Sequence, residues 1–208
     1  MFPRLVGLIL LCLTAIPASC ADIARRGALP TAAISSGNPS GVVYVARLLN
    51  PPNTNIGGFI TAYSPGTGNG VDFDVHFEGL PKNQNIRMSF FPVIIMRRIS
   101  PNNKVKAYHI HNHPVDGTNC STTGDHLDPQ KRGESPPCNT ADPKGCQLGD
   151  LSGKHGVAFS VNGDPFETHF NDPYVSLRSN SSAYFGNLSV VLHYPGLAKL
   201  TCGNFMKI

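Results

Sequence analysis

The stretch Val71–Gly79, VDFDVHFEG, alternates without a break up to Glu78: Val71, Phe73, Val75 and Phe77 are apolar, and Asp72, Asp74, His76 and Glu78 are polar. Successive side chains on a strand point to opposite faces, so this stretch reads as a strand with one buried and one wet face. Ser40–Leu49, Gly57–Tyr63, Gly156–Val161, Pro173–Leu177 and Asn187–Tyr194 read as further strands, separated by turns rich in Gly, Pro and Asn. No long stretch carries a capped apolar repeat of helical period. The chain is therefore predicted to be all-β, a sandwich or barrel with long loops. Its 208 residues suit one domain with a substantial core, placed at 40–208.

Residues 1–21 combine Arg4, an apolar run from Leu5 to Ile16 and a small-residue end, which predicts a secretory signal peptide cleaved after Ala21. That run is too short for a bilayer, and no second one approaches the roughly 20 residues a membrane span needs. The end at Ile208 carries no hydrophobic tail of the kind that precedes a lipid anchor. Residues 22–39 are small, polar and aperiodic, and read as a flexible lead-in. The formal charge of +4 is not gathered into basic clusters with interleaved aromatics, so nucleic acid is not an expected partner. A secreted protein, extracellular or in the cell wall, is expected.

Export changes the cysteine reading. Of six cysteines, the signal takes two and leaves Cys120, Cys138, Cys146 and Cys202. An oxidising compartment favours disulfides among them, and three pairings are open. Sequons at Asn119, Asn180 and Asn187 predict surface glycosylation, with Asn119 hindered because Cys120 is its middle residue.

Four of the eight histidines fall between His109 and His126. His109 and His111, two apart on a strand, project from one face about 6.6 Å apart and can converge on one ion. His113 shares their parity, but it precedes Pro114 and the turn at Asp116–Gly117, and is expected to point away. His193 lies on the strand face opposite Leu188, Val190 and Leu192, and taken singly reads as solvated. His76, His155 and His169 are expected to face solvent or to support other groups. Cys138 and Cys146 lack the spacing of a zinc site. An all-imidazole set suits copper, and zinc or nickel less well.

The segments YHIHNHP, NCSTTGDHLDP, GDLSGKHG, YFGNLSVVLH and KLTCGNF occur in that order. Together they resemble the extracellular copper-only superoxide dismutases of fungi, a branch of the copper/zinc superoxide dismutase family. The resemblance covers most of Val71–Phe205 and implies a Greek-key β-barrel or flattened sandwich. It implies a secreted enzyme that converts superoxide anion to dioxygen and hydrogen peroxide with one copper ion per chain, and a monomer is expected. The implied ligands are His109, His111, His126 and His193, with His126 also supplying a proton. The implied disulfide is Cys120–Cys202, which leaves Cys138 to pair with Cys146. Lys199 stands where relatives hold the substrate anion with an arginine; it keeps the charge but not the planar fork.

Departures from the wider family bear on the metal. No histidine lies between His126 and His155, Gln147 stands at one zinc-ligand position, and Asp150 survives without its partners. No zinc is expected; Gln147 is the candidate to orient His126, and Asp150 to hold the loop. Segment 82–107 matches nothing in the family and is either an insertion or translated non-coding sequence. Its apolar run without strand alternation before Arg97–Arg98 favours the second. A non-enzymatic secreted copper-binding or storage protein is the alternative, since it would keep the four histidines and tolerate the lysine.

Overall fold

The structure, a computed structural model, describes residues 29–50, 55–83, 107–194 and 198–208. The predicted signal peptide and most of segment 82–107 lie outside the described residues. Among the described residues nine strands are formed: β1 (Val43–Arg47), β2 (Gly57–Tyr63), β3 (Val71–Glu78), β4 (Lys82–Asn83), β5 (Ala107–His111), β6 (Ser160–Val161), β7 (Phe166–Asp172), β8 (Ser189–His193) and β9 (Lys199–Lys207). A short helix, α1 (Leu151–His155), lies in the loop region. Seven strands make an antiparallel sheet in the order β5-β8-β9-β1-β2-β3-β7, and β4 pairs with β6 in parallel. The two described ends of segment 82–107 thus enter β4 and β5.

The alternation in β3 sets the inside of this sheet. Val71, Phe73 and Phe77 have no exposure, whereas Asp74 and Glu78 face solvent. Ile60 and Ala62 of β2, Ala46 of β1 and Phe205 of β9 join the same core, as do Tyr108 and Ile110 of β5. β5 and β7 stand at opposite ends of the strand order, yet Tyr108 of β5 and Phe166 of β7 have ring centroids 6.4 Å apart. The sheet must therefore curl until its two edges share one core. Truncating any of these buried rings would cost about 3–5 kcal/mol. Gly58 permits one tight contact in the wall, because a Cβ there would lie 2.1 Å from His76 O and its φ is +127°.

Some sequence expectations fail for identifiable reasons. Pro173–Leu177 is not a strand: Tyr174 and Val175 donate their amides to Asp172 Oδ1, and only an isolated bridge joins Ser176 to Tyr184. In Gly156–Val161 the ladder is confined to Ser160–Val161. β7 was not anticipated, because Thr168 interrupts its inward apolar positions. The described part of the lead-in is tied down despite its composition. Asn38 donates to Gly70 O and accepts from Leu177 N, and Ser35 exchanges backbone bonds with Pro173 and Gly70.

One charged cluster is built into the interior. Asp172 has no exposure, and its Oδ2 receives both Lys154 Nζ and His155 Nε2. Burial alone would raise the Asp172 pKa, but the Lys154 ammonium and the His155 contact outweigh it and hold the carboxyl below its ordinary range. Lys154 Nζ also donates to Leu148 O at 2.8 Å, so the cluster fastens α1 and the preceding loop to β7.

Candidate metal centre

His109 and His111 leave β5 on the face turned away from the core residues Tyr108 and Ile110. β8 pairs with β5 so that His109 lies opposite Val191 and His193 opposite Ala107, which puts His193 on that same face. The face is not wet. The Cys120–Cys202 bridge brings a loop over it, and Val115, Val191 and Cys202 pack there as a second apolar cluster. That cover overturns the solvated reading of His193, which is 3% exposed. Asn204 strengthens the cover by bonding both the amide and the carbonyl of Val115.

A closed ring of backbone bonds fixes the fourth histidine. Ile110 N donates to Gly149 O, Gly149 N to Leu127 O, and Leu127 N to Ile110 O, each at 2.8 Å. The neighbours of these three residues in the chain include His109, His111, His126 and Asp150, with Gln147 two positions before Gly149. Position 149 has to be glycine, since a Cβ there would lie 2.2 Å from Ile110 O and 2.8 Å from Leu127 N. Three distant segments are thus locked in register around one space.

The ring nitrogens show how the histidines are set. His126 Nδ1 donates to Gln147 Oε1 at 2.7 Å, and Gln147 Nε2 in turn donates to Asp128 Oδ2. His111 Nδ1 donates to Gly124 O at 2.9 Å. His109 Nε2 stands 3.4 Å from Asp150 Oδ1. In these three rings one nitrogen is held by an oxygen, and the other is left to the common space. His111 Nε2 and His193 Nε2 come within 3.1 Å of each other. His109 Nδ1 is buried and makes no hydrogen bond. One ligand nitrogen from each of the four rings falls within 4.8 Å of the others.

Electrostatics favour the neutral form of His111 and His126. Burial, with the neighbouring His126, His193 and Lys199 charges adding to it, pushes His111 down to about 3 against the raising effect of Gly124 O. Burial and His109 likewise lower His126, against Gln147. Asp150 moves the other way: its burial is outweighed by His109 and the Gly153 amide, which hold it below the usual carboxylate range. Neutral imidazoles with oriented lone pairs are the form that binds a metal ion. The buried, unpartnered Nδ1 of His109 is what a bound ion would satisfy, so the residues present fit one.

The histidines expected to stand apart do so. His113 is exposed and outside the group, His76 and His169 lie on the outer sheet face, and His155 serves Asp172. Lys199 is placed less freely than its expected role suggests. Its Nζ donates to Thr123 Oγ1 and Gly124 O, both at 2.8 Å, and burial lowers its pKa. Lys199 and His111 therefore share the Gly124 carbonyl. Asp128, Arg132 and Gly149 escaped the sequence reading. Asp128 accepts from Gln147 and from the amides of Arg132 and Gly133, while buried Arg132 donates to Gly145 O, Gly133 O and Pro137 O. Cys138–Cys146 closes the same loop. The short HLDP run offered a signal for Asp128 as a turn-forming residue; nothing local marked Arg132.

No protein-family profile matches the chain. Among curated proteins, it is 37% identical over 197 residues to a cell surface Cu-only superoxide dismutase of Arthroderma benhamiae, covering 90% of this chain and 52% of that one. It is 31% identical over 185 residues to cell surface Cu-only superoxide dismutase 5 of Candida albicans, covering 88% and 68%. The copper(II) structure of Candida albicans superoxide dismutase 5 superposes with a TM-score of 0.61 at 27% identity, covering 80% of this chain and 92% of that one. A curled antiparallel barrel wall with one four-imidazole pocket on its outer face defines a copper/zinc superoxide dismutase-like protein. The chain belongs to the cell-surface superoxide dismutases of fungi. It spans about half the length of the first two curated relatives it matches, 52% and 46%.

Proposed function

We propose that the chain is a secreted, copper-dependent superoxide dismutase that uses one ion held by His109 Nδ1 and by Nε2 of His111, His126 and His193. The observation that carries this reading is the buried four-histidine group with an unpartnered His109 Nδ1 at its centre. Its names come from relatives called Cu-only and cell surface. Bound copper would supply alternate one-electron acceptance and donation, by which one superoxide leaves as dioxygen and the next as peroxide.

The protein's own part is placement. Gln147 Oε1 occupies the far nitrogen of His126, which favours a single ion over a bridged pair and leaves Nε2 as the atom that can carry a proton to the departing peroxide. Asp150 orients His109 and caps α1 through Gly153 N. Lys199 anchors the Gly124 carbonyl that also holds His111 and would offer the substrate anion a charge of the right sign, without the planar fork of arginine. Asn119, Asn180 and Asn187 are all exposed and suit glycosylation. Monomeric action and no nucleic-acid partner complete the reading.

The test is metal analysis of the purified protein, joined to stopped-flow superoxide decay across a salt series. One copper and no zinc per chain is expected, with decay that slows as salt screens the Lys199 cation over about 8–10 Å. Copper bound without turnover would instead make the chain a storage protein, and tightly bound zinc beside copper would refute the single-ion site.

A further inference from the structure

The outer face of β3 and β7 carries a second set of metal-ligating side chains, away from the four-histidine centre. Antiparallel pairing sets Asp74 opposite His169 and His76 opposite Glu167, so the two acids and two imidazoles form a square on one face. His76 Nδ1 donates to Glu167 Oε1 at 2.9 Å, and His169 Nδ1 to Asp74 Oδ1 at 2.8 Å. Each carboxylate fixes a tautomer and leaves Nε2 with a lone pair. This is the arrangement in which imidazoles are presented to a metal: the acid takes one nitrogen, orients the ring and raises its basicity. His76 and His169 are diagonal neighbours, whose Cα atoms are about 7–8 Å apart and whose long side chains can meet over the sheet.

Two further observations point to a cation as the occupant. These four side chains, with Phe59, Val75 and Thr168, line a shallow groove of about 420 Å³. Its surroundings are acidic although the whole chain is +4: Asp72 and Glu78 of β3 share the parity of Asp74, and with Glu167 they outnumber Arg47, which lies over the Phe59 ring 6.0 Å from its centroid. Phe59 stacks on His76 at 5.3 Å and limits the swing of that ring. Anionic ligands would be repelled here, and hard cations such as Mg²⁺ would lack the oxygen cage they need.

We propose that this face binds a second, weaker divalent first-row cation of the imidazole-preferring class, chelated by Nε2 of His76 and His169, with Glu167 and Asp74 as the orienting partners. The inference does not depend on whether the four-histidine centre turns over superoxide.

The experiment starts from protein whose central site is already copper-loaded, desalted, and titrated with Zn²⁺ in a calorimeter at pH 7.5. One further equivalent per chain is expected. It should vanish in His76→Gln/His169→Gln, and weaken about 10- to 100-fold in Asp74→Asn/Glu167→Gln, the range for removing the partners of metal-bound histidines. All four positions are surface side chains, and both double variants should retain the central copper and its spectrum. Absence of zinc uptake by the copper-loaded protein, or uptake that His76→Gln/His169→Gln leaves unchanged, would overturn the proposal.

Discussion

The two disulfides should differ in how much they stabilise the fold, in an order that loop length fixes. Cys120 and Cys202 are 82 positions apart, Cys138 and Cys146 only 8. Cross-linking removes unfolded-state entropy that grows as 1.5R times the logarithm of the closed loop, so the long bridge is worth about 4.5 kcal/mol and the short one about 2.5. The constant part of that expression cancels on comparison, which makes the difference of about 2 kcal/mol firmer than either value. Burial does not reverse that order, because each bridge joins one buried cysteine, Cys202 or Cys146, to one partly exposed cysteine, Cys120 or Cys138. The perturbations are Cys120→Ala/Cys202→Ala and Cys138→Ala/Cys146→Ala. Metal-free protein should be unfolded in urea, so that copper affinity does not enter through mass action. The chain has no tryptophan, so far-UV circular dichroism or tyrosine emission is the signal. Equal losses from the two double variants, or a larger loss from the short bridge, would refute the reasoning.

Asp172→Asn leaves the buried Lys154 ammonium without its counter-charge and should cost about 3–5 kcal/mol at pH 7. Because the folded-state pKa of Asp172 lies below its unfolded value, this contribution is present above about pH 4 and is lost as pH falls further. Acid unfolding of the variant should therefore be flatter by one proton, and parallel acid limbs would contradict the assignment. Gly149→Ala should cost about 1–3 kcal/mol by forcing Ile110 and Leu127 apart. Competitive chelation should show weaker copper binding as well, while Gly145→Ala, whose Cβ would meet nothing nearer than 3.8 Å, serves as the neutral control.

What the sequence disclosed follows from how far each signal reaches along the chain. β2 was bounded to the residue and β3 nearly so, because a strand with one wet face writes its period into consecutive positions. β8 is buried on both faces, and His193 could not be placed from alternation: the loop that covers it is 70 to 80 positions earlier in the chain. The resemblance carried His193, and with it Cys120–Cys202. Residues acting through the backbone stayed hidden. Gly149 matters only because Ile110 and Leu127 close on it, and Arg132 only because carbonyls of its own loop turn inward. Pro173–Leu177 failed for the converse reason, since a side chain, Asp172, takes the amides that a neighbouring strand would have used.

Under the proposed function, the oxygens behind the rings rank the ligands. His109 is backed by a carboxylate that its surroundings keep ionised, and Asp150 is itself pinned by the Gly153 amide. His111 is backed by the Gly124 carbonyl, which Lys199 also grips from the side. Both rings sit on β5, whose ladder with β8 cannot shift without breaking the wall of the barrel. His126 is held differently. Its acceptor is the neutral amide of Gln147, a side chain fixed only through Asp128, and its backbone lies in a loop joined to β5 by Leu127 N and the bridge to His111. A neutral acceptor raises ring basicity less than a carboxylate does, and a loop yields more readily than a ladder. Under that proposal His126 would be the ring best able to give up and regain a bound ion, with His109, His111 and His193 held more firmly. The proposed proton-carrying role would then fall to the ligand that the fold holds least rigidly.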